Sequence, residues 1–209
     1  PKLERELAAA HAELAALIRE DGAGFVRAGH RLVLPYRAPC GTLYTWQRRR
    51  LDAGEPKYVF PRSHDDGPEA REGRGRSARW PYGVERLAAA PKDAPIVYTE
   101  GALDAAAVRA IDAEGERVRV VLGIPGTQAW KRGEGFFATF AAGRTAFVAT
   151  DNDAPKDGKT PPGEAAAKRW GADAWRAGAV DVQRIKPPAP AKDWSDALAA
   201  ALAERKAAP

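Results

Sequence analysis

From residue 91 onward, short apolar runs alternate with segments of helical length. Four runs rich in aliphatic residues predict strands at 96–98, 118–122, 146–149 and 180–185. The segments between and after them have apolar residues at helical spacing, which predicts helices at 103–111, 163–177 and 194–203. Strands that alternate with helices are typical of βαβ units, so we expect an α/β fold with a mainly parallel sheet flanked by helices.

The first 90 residues have a different pattern. Residues 2–20 place leucines at helical spacing among Ala, Glu and Arg, which predicts an amphipathic helix ended by Gly22 and Gly24. Short extended runs at 32–35 and 43–46 predict two strands joined by a turn at 39–41. Residues 61–79 are charged and rich in Gly and Arg, so we expect a long loop there.

Composition restricts the classes of function. Cys40 is the single cysteine, which excludes an intrachain disulfide framework and a multi-cysteine zinc site in this sequence. No apolar run approaches the roughly 18 residues that a membrane span needs, and no secretion leader is visible, so we expect a cytoplasmic location and no membrane partner. The sequence begins at Pro1 and contains no methionine, and of the two explanations, a removed initiator or a piece of a longer protein, we favour the piece.

The positive charge is concentrated in one segment. Residues 30–90 contain twelve basic and seven acidic side chains, a balance of +5, whereas residues 1–29 and 91–209 have balances of −1 and +1. Localised positive charge attracts polyanions, because each neutralised phosphate releases condensed counterions. A solvated arginine-rich surface explains the same composition equally well, so the charge alone does not decide between the two.

Carboxylates follow three of the predicted strands. Glu100 comes directly after the first strand with Asp104 one helical turn later, Asp151 and Asp153 follow the third, and Asp193 and Asp196 follow the fourth. The carboxyl ends of parallel strands share one edge of a sheet, where ligands bind. Carboxylates gathered there repel one another unless a cation neutralises them, and hard oxygen ligands without His or Cys favour Mg²⁺ or Mn²⁺. Each acid taken alone is more often a helix cap or turn residue.

These acidic residues stand in a recognisable motif. The run TEGALDAAAV at 99–108, followed by ATDND at 149–153, resembles the toprim signature, a Glu-Gly segment with a nearby Asp and then Asp-x-Asp. Toprim domains occur in bacterial-type primases, topoisomerases and a class of nucleases. The resemblance implies that Glu100 is the general acid/base and a metal ligand, and that Asp104, Asp151 and Asp153 serve the metal site.

The segment upstream resembles the basic subdomain that precedes toprim in DnaG-like primases of bacteria and phages. A Pro-x-Arg strand, a hairpin ending in Arg, a Pro-Lys-Tyr segment and a Tyr-Gly occur here in that order. By this resemblance, the residues that contact template or nucleotide are Arg37, Arg48, Arg49, Lys57 and Tyr82. Trp46, Trp80 and Tyr82 are candidates for base stacking, although packing in the core is the more frequent role of such aromatics.

The resemblance continues to the end of the chain, with departures. The closing KDWSDAL resembles the late acidic motif of these primases, which assigns Asp193 and Asp196 to a second metal ion. The spacing of three between these acids, rather than two, leaves the assignment of Asp196 open. Residues 154–162 separate Asp-x-Asp from Gly163, whereas the family's helix-opening glycine follows almost at once, so we expect a reshaped metal loop. These departures predict a divergent primase from a phage, plasmid or integrated element.

The resemblance predicts four segments. We expect a helix or linker at 1–29, a small basic α+β subdomain at 30–90, a toprim domain at 91–187, and an acidic motif with a helix at 188–209. The implied function is synthesis of short RNA primers on single-stranded DNA from nucleoside triphosphates with two Mg²⁺ or Mn²⁺ ions. The implied partner is a replicative helicase or a helicase domain of the same polypeptide. A toprim nuclease and a non-catalytic single-stranded-DNA-binding module are the alternatives.

Overall fold

The computed structural model describes residues 32–50, 58–59, 79–126, 129–130, 135–155, 158 and 160–207. The chain divides into two compact units, Pro1–Tyr36 with Leu43–Arg79 and Arg37–Thr42 with Trp80–Pro209. The predicted helix at 2–20, nearly all of the predicted loop at 61–79, and Lys57 lie outside the described residues.

A small sheet contains the two strands predicted before residue 50. Strands β1 (Leu32–Arg37), β2 (Leu43–Arg49) and β3 (Tyr58–Val59) lie in the order β1-β2-β3, and β2 pairs antiparallel with β3. Tyr36 is fully buried, and its hydroxyl donates to Gln47 Oε1 at 3.4 Å. The strands predicted at 32–35 and 43–46 are confirmed, and each extends further than the apolar run that indicated it.

The second unit is built on the parallel sheet that the sequence predicts. Strands β4 (Ile96–Thr99), β5 (Val120–Gly123), β6 (Thr145–Ala149) and β7 (Asp181–Ile185) lie in the order β5-β4-β6-β7, with every neighbouring pair parallel. The register places Thr99 beside Ala149, and Ala149 beside Ile185. The residues that follow β4, β6 and β7 therefore leave the sheet at one common edge.

Helices cover both faces of this sheet. The described helices of the unit are α1 (Ala102–Glu114), α2 (Pro162–Arg176) and α3 (Trp194–Ala207), with two 3₁₀ helices at Val84–Ala88 and Phe136–Ala141. On one face, Trp130 stacks on Trp170 of α2, with ring centroids 4.9 Å apart. On the other face, Val97 and Val121 pack with residues of α1 and with Trp194 of α3. Because both faces are covered, β4 and β5 are buried at every position and read as continuous apolar runs.

Several element boundaries differ from the sequence prediction, among them the following two. The strand predicted at 118–122 begins only at Val120, because Val118 is 66% exposed and lies before the buried run. The helix predicted at 194–203 continues to Ala207. In the part of the chain that the structure describes, no helix has the length and apolarity needed to cross a membrane.

Candidate active site

Neighbouring strands bring Glu100 and Asp151 into contact. Glu100 follows β4 directly, and Asp151 follows β6 after the buried Thr150. The strands are adjacent and in register, so both acids emerge at the same edge of the sheet. The backbone N–H of Asp151 donates to Glu100 Oε1 at 3.3 Å, which holds the Glu100 carboxylate against the end of β6.

The start of helix α2 closes over this pair. A Cβ atom at Gly163, in the first turn of α2, would lie 2.8 Å from Glu100 Oε1 and 3.2 Å from the Asp151 carbonyl oxygen. A side chain at this position would therefore force the Glu100 carboxylate to shift and would also crowd the Asp151 carbonyl. Although residues 154–162 separate this glycine from Asp153, it still reaches the Glu100 side chain.

Helices α1 and α3 bring two further acids to the same edge. Asp104 lies in the first turn of α1, and the Ser195 hydroxyl of α3 donates to Asp104 Oδ1 at 3.5 Å. Asp193 immediately precedes α3 and caps it, because its Oδ1 accepts the Asp196 N–H at 2.8 Å. Asp196 itself is exposed on the first turn of α3. Its assignment as a metal ligand stays a prediction.

Burial and mutual repulsion raise the pKa values of the central acids. Burial, followed by the charges of Asp104, Glu100, Asp193 and Asp153, raises the pKa of Asp151 to about 8. Burial, followed by the charge of Asp193, raises the pKa of Asp104 to about 6. Burial is also the main reason that the pKa of Glu100 is raised, and the charges of Asp153 and Asp104 add to it. We call these five acids the carboxylate cluster: Glu100, Asp104, Asp151, Asp153 and Asp193.

The chemistry of the carboxylate cluster fits a hard divalent cation. Its donors are all carboxylate oxygens, and Asp151 Oδ1 is buried with no hydrogen-bond partner among the described residues. A buried, unpaired carboxylate oxygen is costly unless a cation satisfies it. Among the described residues, however, no three acidic, histidine or cysteine side chains are already arranged as a ready-made metal site. Binding would therefore require these side chains to rotate toward a common ion.

Arg184 is a cation at this edge that the sequence analysis did not single out. It lies on β7, and its Nε and Nη2 donate to the Thr150 hydroxyl at 3.3 and 3.2 Å. Its positive charge lowers the pKa of Glu100, opposing the neighbouring carboxylates. A search for basic as well as acidic residues near the strand ends would have found it.

Of the four basic residues predicted to contact template or nucleotide, the three that the structure describes differ in their burial and in their contacts. Arg37 Nη1 donates to the Gly41 carbonyl at 3.0 Å, and Arg48 is 9% exposed. The Arg49 guanidinium lies 5.6 Å from the Tyr58 ring centroid, and its buried Nε has no hydrogen-bond partner among the described residues. Lys57 lies outside those residues. These placements leave the roles of the four basic side chains as predictions.

The three aromatic residues considered for base stacking are each partly buried. Trp80 meets Phe136 edge to face at 5.5 Å and packs against the core on the α2 face of the sheet. Tyr82 packs against the core on the opposite face, and its backbone pairs with Gly123 at the edge of β5. Trp46 is half-buried on β2. For Trp80 and Tyr82, these contacts favour packing over stacking on bases.

Comparison with known proteins gives matches at the level of structure. No protein-family model matches the sequence, and no curated protein matches it. Among solved structures, a DNA primase domain from Pseudomonas aeruginosa has a TM-score of 0.52 at 19% identity over 86% of this chain and 50% of its own. The zinc-binding and RNA polymerase domains of the Aquifex aeolicus primase have a TM-score of 0.51 at 16% identity over 85% of this chain and 38% of theirs.

A phage complex matches as well. It contains the bacteriophage T7 lagging-strand DNA polymerase with primase domains bound to an RNA/DNA hybrid and dTTP, and its matching chain has a TM-score of 0.51 at 17% identity over 84% of this chain and 73% of its own. This chain thus spans half or less of the Pseudomonas and Aquifex chains. It has the mixed α/β fold of the catalytic core of DnaG-type bacterial and phage primases.

Proposed function

We propose that this chain is the catalytic core of a DNA primase that joins ribonucleotides on a single-stranded DNA template in a reaction dependent on Mg²⁺ or Mn²⁺. The observation that supports this most directly is the carboxylate cluster at the carboxyl edge of a parallel sheet. A scaffold that only binds DNA gains nothing from several partly buried acids at one point, because they would repel the DNA phosphates.

Each acid has a proposed role in nucleotidyl transfer. Glu100 holds or releases the proton of the attacking 3′-hydroxyl, which fits its raised pKa and its position against Asp151. Asp104, Asp151, Asp153 and Asp193 hold two divalent cations, with Asp196 as a further candidate. Two such cations, when bound, would activate the hydroxyl and neutralise the departing pyrophosphate.

The substrates and partners follow from the same proposal. The template is single-stranded DNA, and the nucleotides are ribonucleoside triphosphates. Arg37, Arg48, Arg49 and Lys57 are proposed to bind phosphates, since guanidinium and ammonium groups form charge-assisted hydrogen bonds with them. We propose a cytoplasmic replication setting, with a helicase as the partner.

Incubation of the chain with single-stranded DNA, labelled ribonucleotides and Mg²⁺ or Mn²⁺ tests the proposal. We expect short labelled oligomers whose formation stops when EDTA removes the metal. Shortened DNA without labelled oligomers would identify a toprim nuclease instead. DNA binding without either product would identify a binding module.

Gly163→Ala should reduce primer synthesis more than tenfold, since its Cβ would lie 2.8 Å from Glu100 Oε1 and push this carboxylate away from its present position. Alanine suits a helix better than glycine, so thermal stability should change little. Gly171→Ala is a control in the same helix, because its Cβ would meet a Val182 methyl group at 3.3 Å rather than a carboxylate. Equal activities of the two variants would show that the Gly163 contact does not matter for catalysis.

Arg49→Ala should weaken binding of single-stranded DNA and reduce the slope of log affinity against log salt by about 0.7, the value for one lost phosphate contact on a single strand. The control is Arg176→Ala, since Arg176 is an exposed residue paired with Asp173 on α2. Fluorescence anisotropy at several salt concentrations measures both slopes. An unchanged slope for Arg49→Ala would remove Arg49 from the proposed phosphate contacts.

A further inference from the structure

Asn152 lies between Asp151 and Asp153 in the sequence, but its side-chain hydrogen bonds are made with backbone carbonyls of a distant segment. Its Nδ2 donates to the carbonyl oxygens of Pro187 and Ala191, at 2.8 and 2.9 Å. Its backbone N–H donates to the Lys192 carbonyl at 2.8 Å. Three hydrogen bonds therefore tie this one residue to residues 187–192, which we call the 187–192 segment.

The 187–192 segment depends on donors from outside itself. Three of its six residues are prolines, at 187, 188 and 190, and proline has no backbone N–H. Pro187 is buried, so its carbonyl needs a protein partner. Within the segment, the Ala191 N–H bonds to the Pro188 carbonyl, whereas the carbonyls of Pro187 and Ala191 receive the Asn152 amide.

The segment leads directly into Asp193. It connects the end of β7 to α3, and Asp193 is the residue that follows it and caps that helix. Two residues after Asp193, the Ser195 hydroxyl donates to the Asp104 carboxylate. The position of the segment therefore sets where the Asp193 carboxylate lies relative to Asp151 and Asp104.

We propose that Asn152 is a positioning residue for Asp193. Its amide holds the 187–192 segment against the turn at 151–153, and the segment in turn sets the place of the Asp193 carboxylate in the cluster. The amide nitrogen donates both of its hydrogen bonds to the segment, so Asn152 holds the segment in place. The inference rests on the proposed function to the extent that the cluster is taken as a metal site.

Mn²⁺ binding to the intact chain, measured by electron paramagnetic resonance without DNA or nucleotide, tests this role. We expect Asn152→Ala to weaken Mn²⁺ binding about tenfold, in the range found when a residue that orients a metal ligand is removed. Asn152→Ser keeps one donor and should fall between the alanine variant and the wild type. Gln183→Ala is the matched control, since that exposed amide donates to Asp181 of its own strand, and the change should leave affinity within about twofold.

A double variant separates positioning from general loosening of the fold. If Asn152 acts through Asp193, the variant with both Asn152→Ala and Asp193→Ala should bind Mn²⁺ no more weakly than Asp193→Ala alone. The inference would be overturned if the loss of Mn²⁺ affinity in the double variant equalled the product of the two single losses. It would also be overturned if both Asn152 variants bound Mn²⁺ with wild-type affinity. A wild-type chain that binds no Mn²⁺ would overturn it together with the metal site. A chain that binds Mn²⁺ but makes no primers would refute the primase proposal. The Mn²⁺ affinities of the Asn152 and Asp193 variants would still decide the role of Asn152.

Discussion

Glu100→Gln should reduce primer synthesis by about 10² to 10⁴-fold, the usual contribution of a general acid or base. The amide keeps the size of the side chain and can still accept the Asp151 N–H, which bonds Glu100 Oε1 at 3.3 Å. It can neither take up a proton at the pH of the reaction nor contribute charge to a cation. Labelled ribonucleotide incorporation on single-stranded DNA measures the loss.

The binding of DNA should be nearly unchanged in this variant. Glu100 is a half-buried acid and has no proposed contact with the template, so affinity for single-stranded DNA should stay within about twofold. The control is Glu204→Gln, which makes the same change at an exposed residue of α3 and should retain full activity. If Glu100→Gln kept more than a tenth of the wild-type activity, the proton-transfer role would have to move to another group.

The acids of the cluster could be predicted because local sequence determines where a strand ends. Buried parallel strands read as apolar runs, and register then places Glu100 and Asp151 at one edge. The polarity change after Thr99 and after Thr150 was therefore enough to indicate the site. The strand predicted from residue 118 begins late for the opposite reason, since an apolar side chain such as Val118 can also lie in solvent.

The long-range hydrogen bonds around the acids could not be predicted in this way. Asn152 bonds carbonyls 35 and 39 residues away, and Arg184 bonds a hydroxyl 34 residues away. Such contacts depend on how separate segments approach one another after the sheet and helices have packed. A periodic pattern in one segment contains no information about that approach. The same limit explains why the contact of Gly163 with Glu100 was not predicted across the 154–162 insertion.

Burial and the neighbouring acids together create a conflict between stability and metal binding at Asp151. Its pKa of about 8 in the folded chain lies far above the value of about 4 for an Asp in an unfolded chain. Between those two values the folded state keeps a proton that the unfolded state has lost. Stability of the metal-free chain should therefore be greatest below about pH 4 for this group and should decrease as pH rises toward 8.

Asp151→Asn should remove this dependence and abolish metal binding at the same time. Asparagine resembles the protonated acid, so in EDTA the variant should melt at a higher temperature than the wild type at pH 8, and the difference should shrink as the pH falls to 5. Mn²⁺ should stabilise the wild type at pH 8 and leave the variant unchanged, with primer synthesis lost by more than about 100-fold, because metal binding needs the ionised carboxylate. Thermal melts from pH 5 to 8.5, with and without Mn²⁺, measure both effects, and Asp93→Asn serves as an exposed control. Parallel pH profiles for the variant and the wild type would mean that burial and the neighbouring acids do not raise the pKa of Asp151.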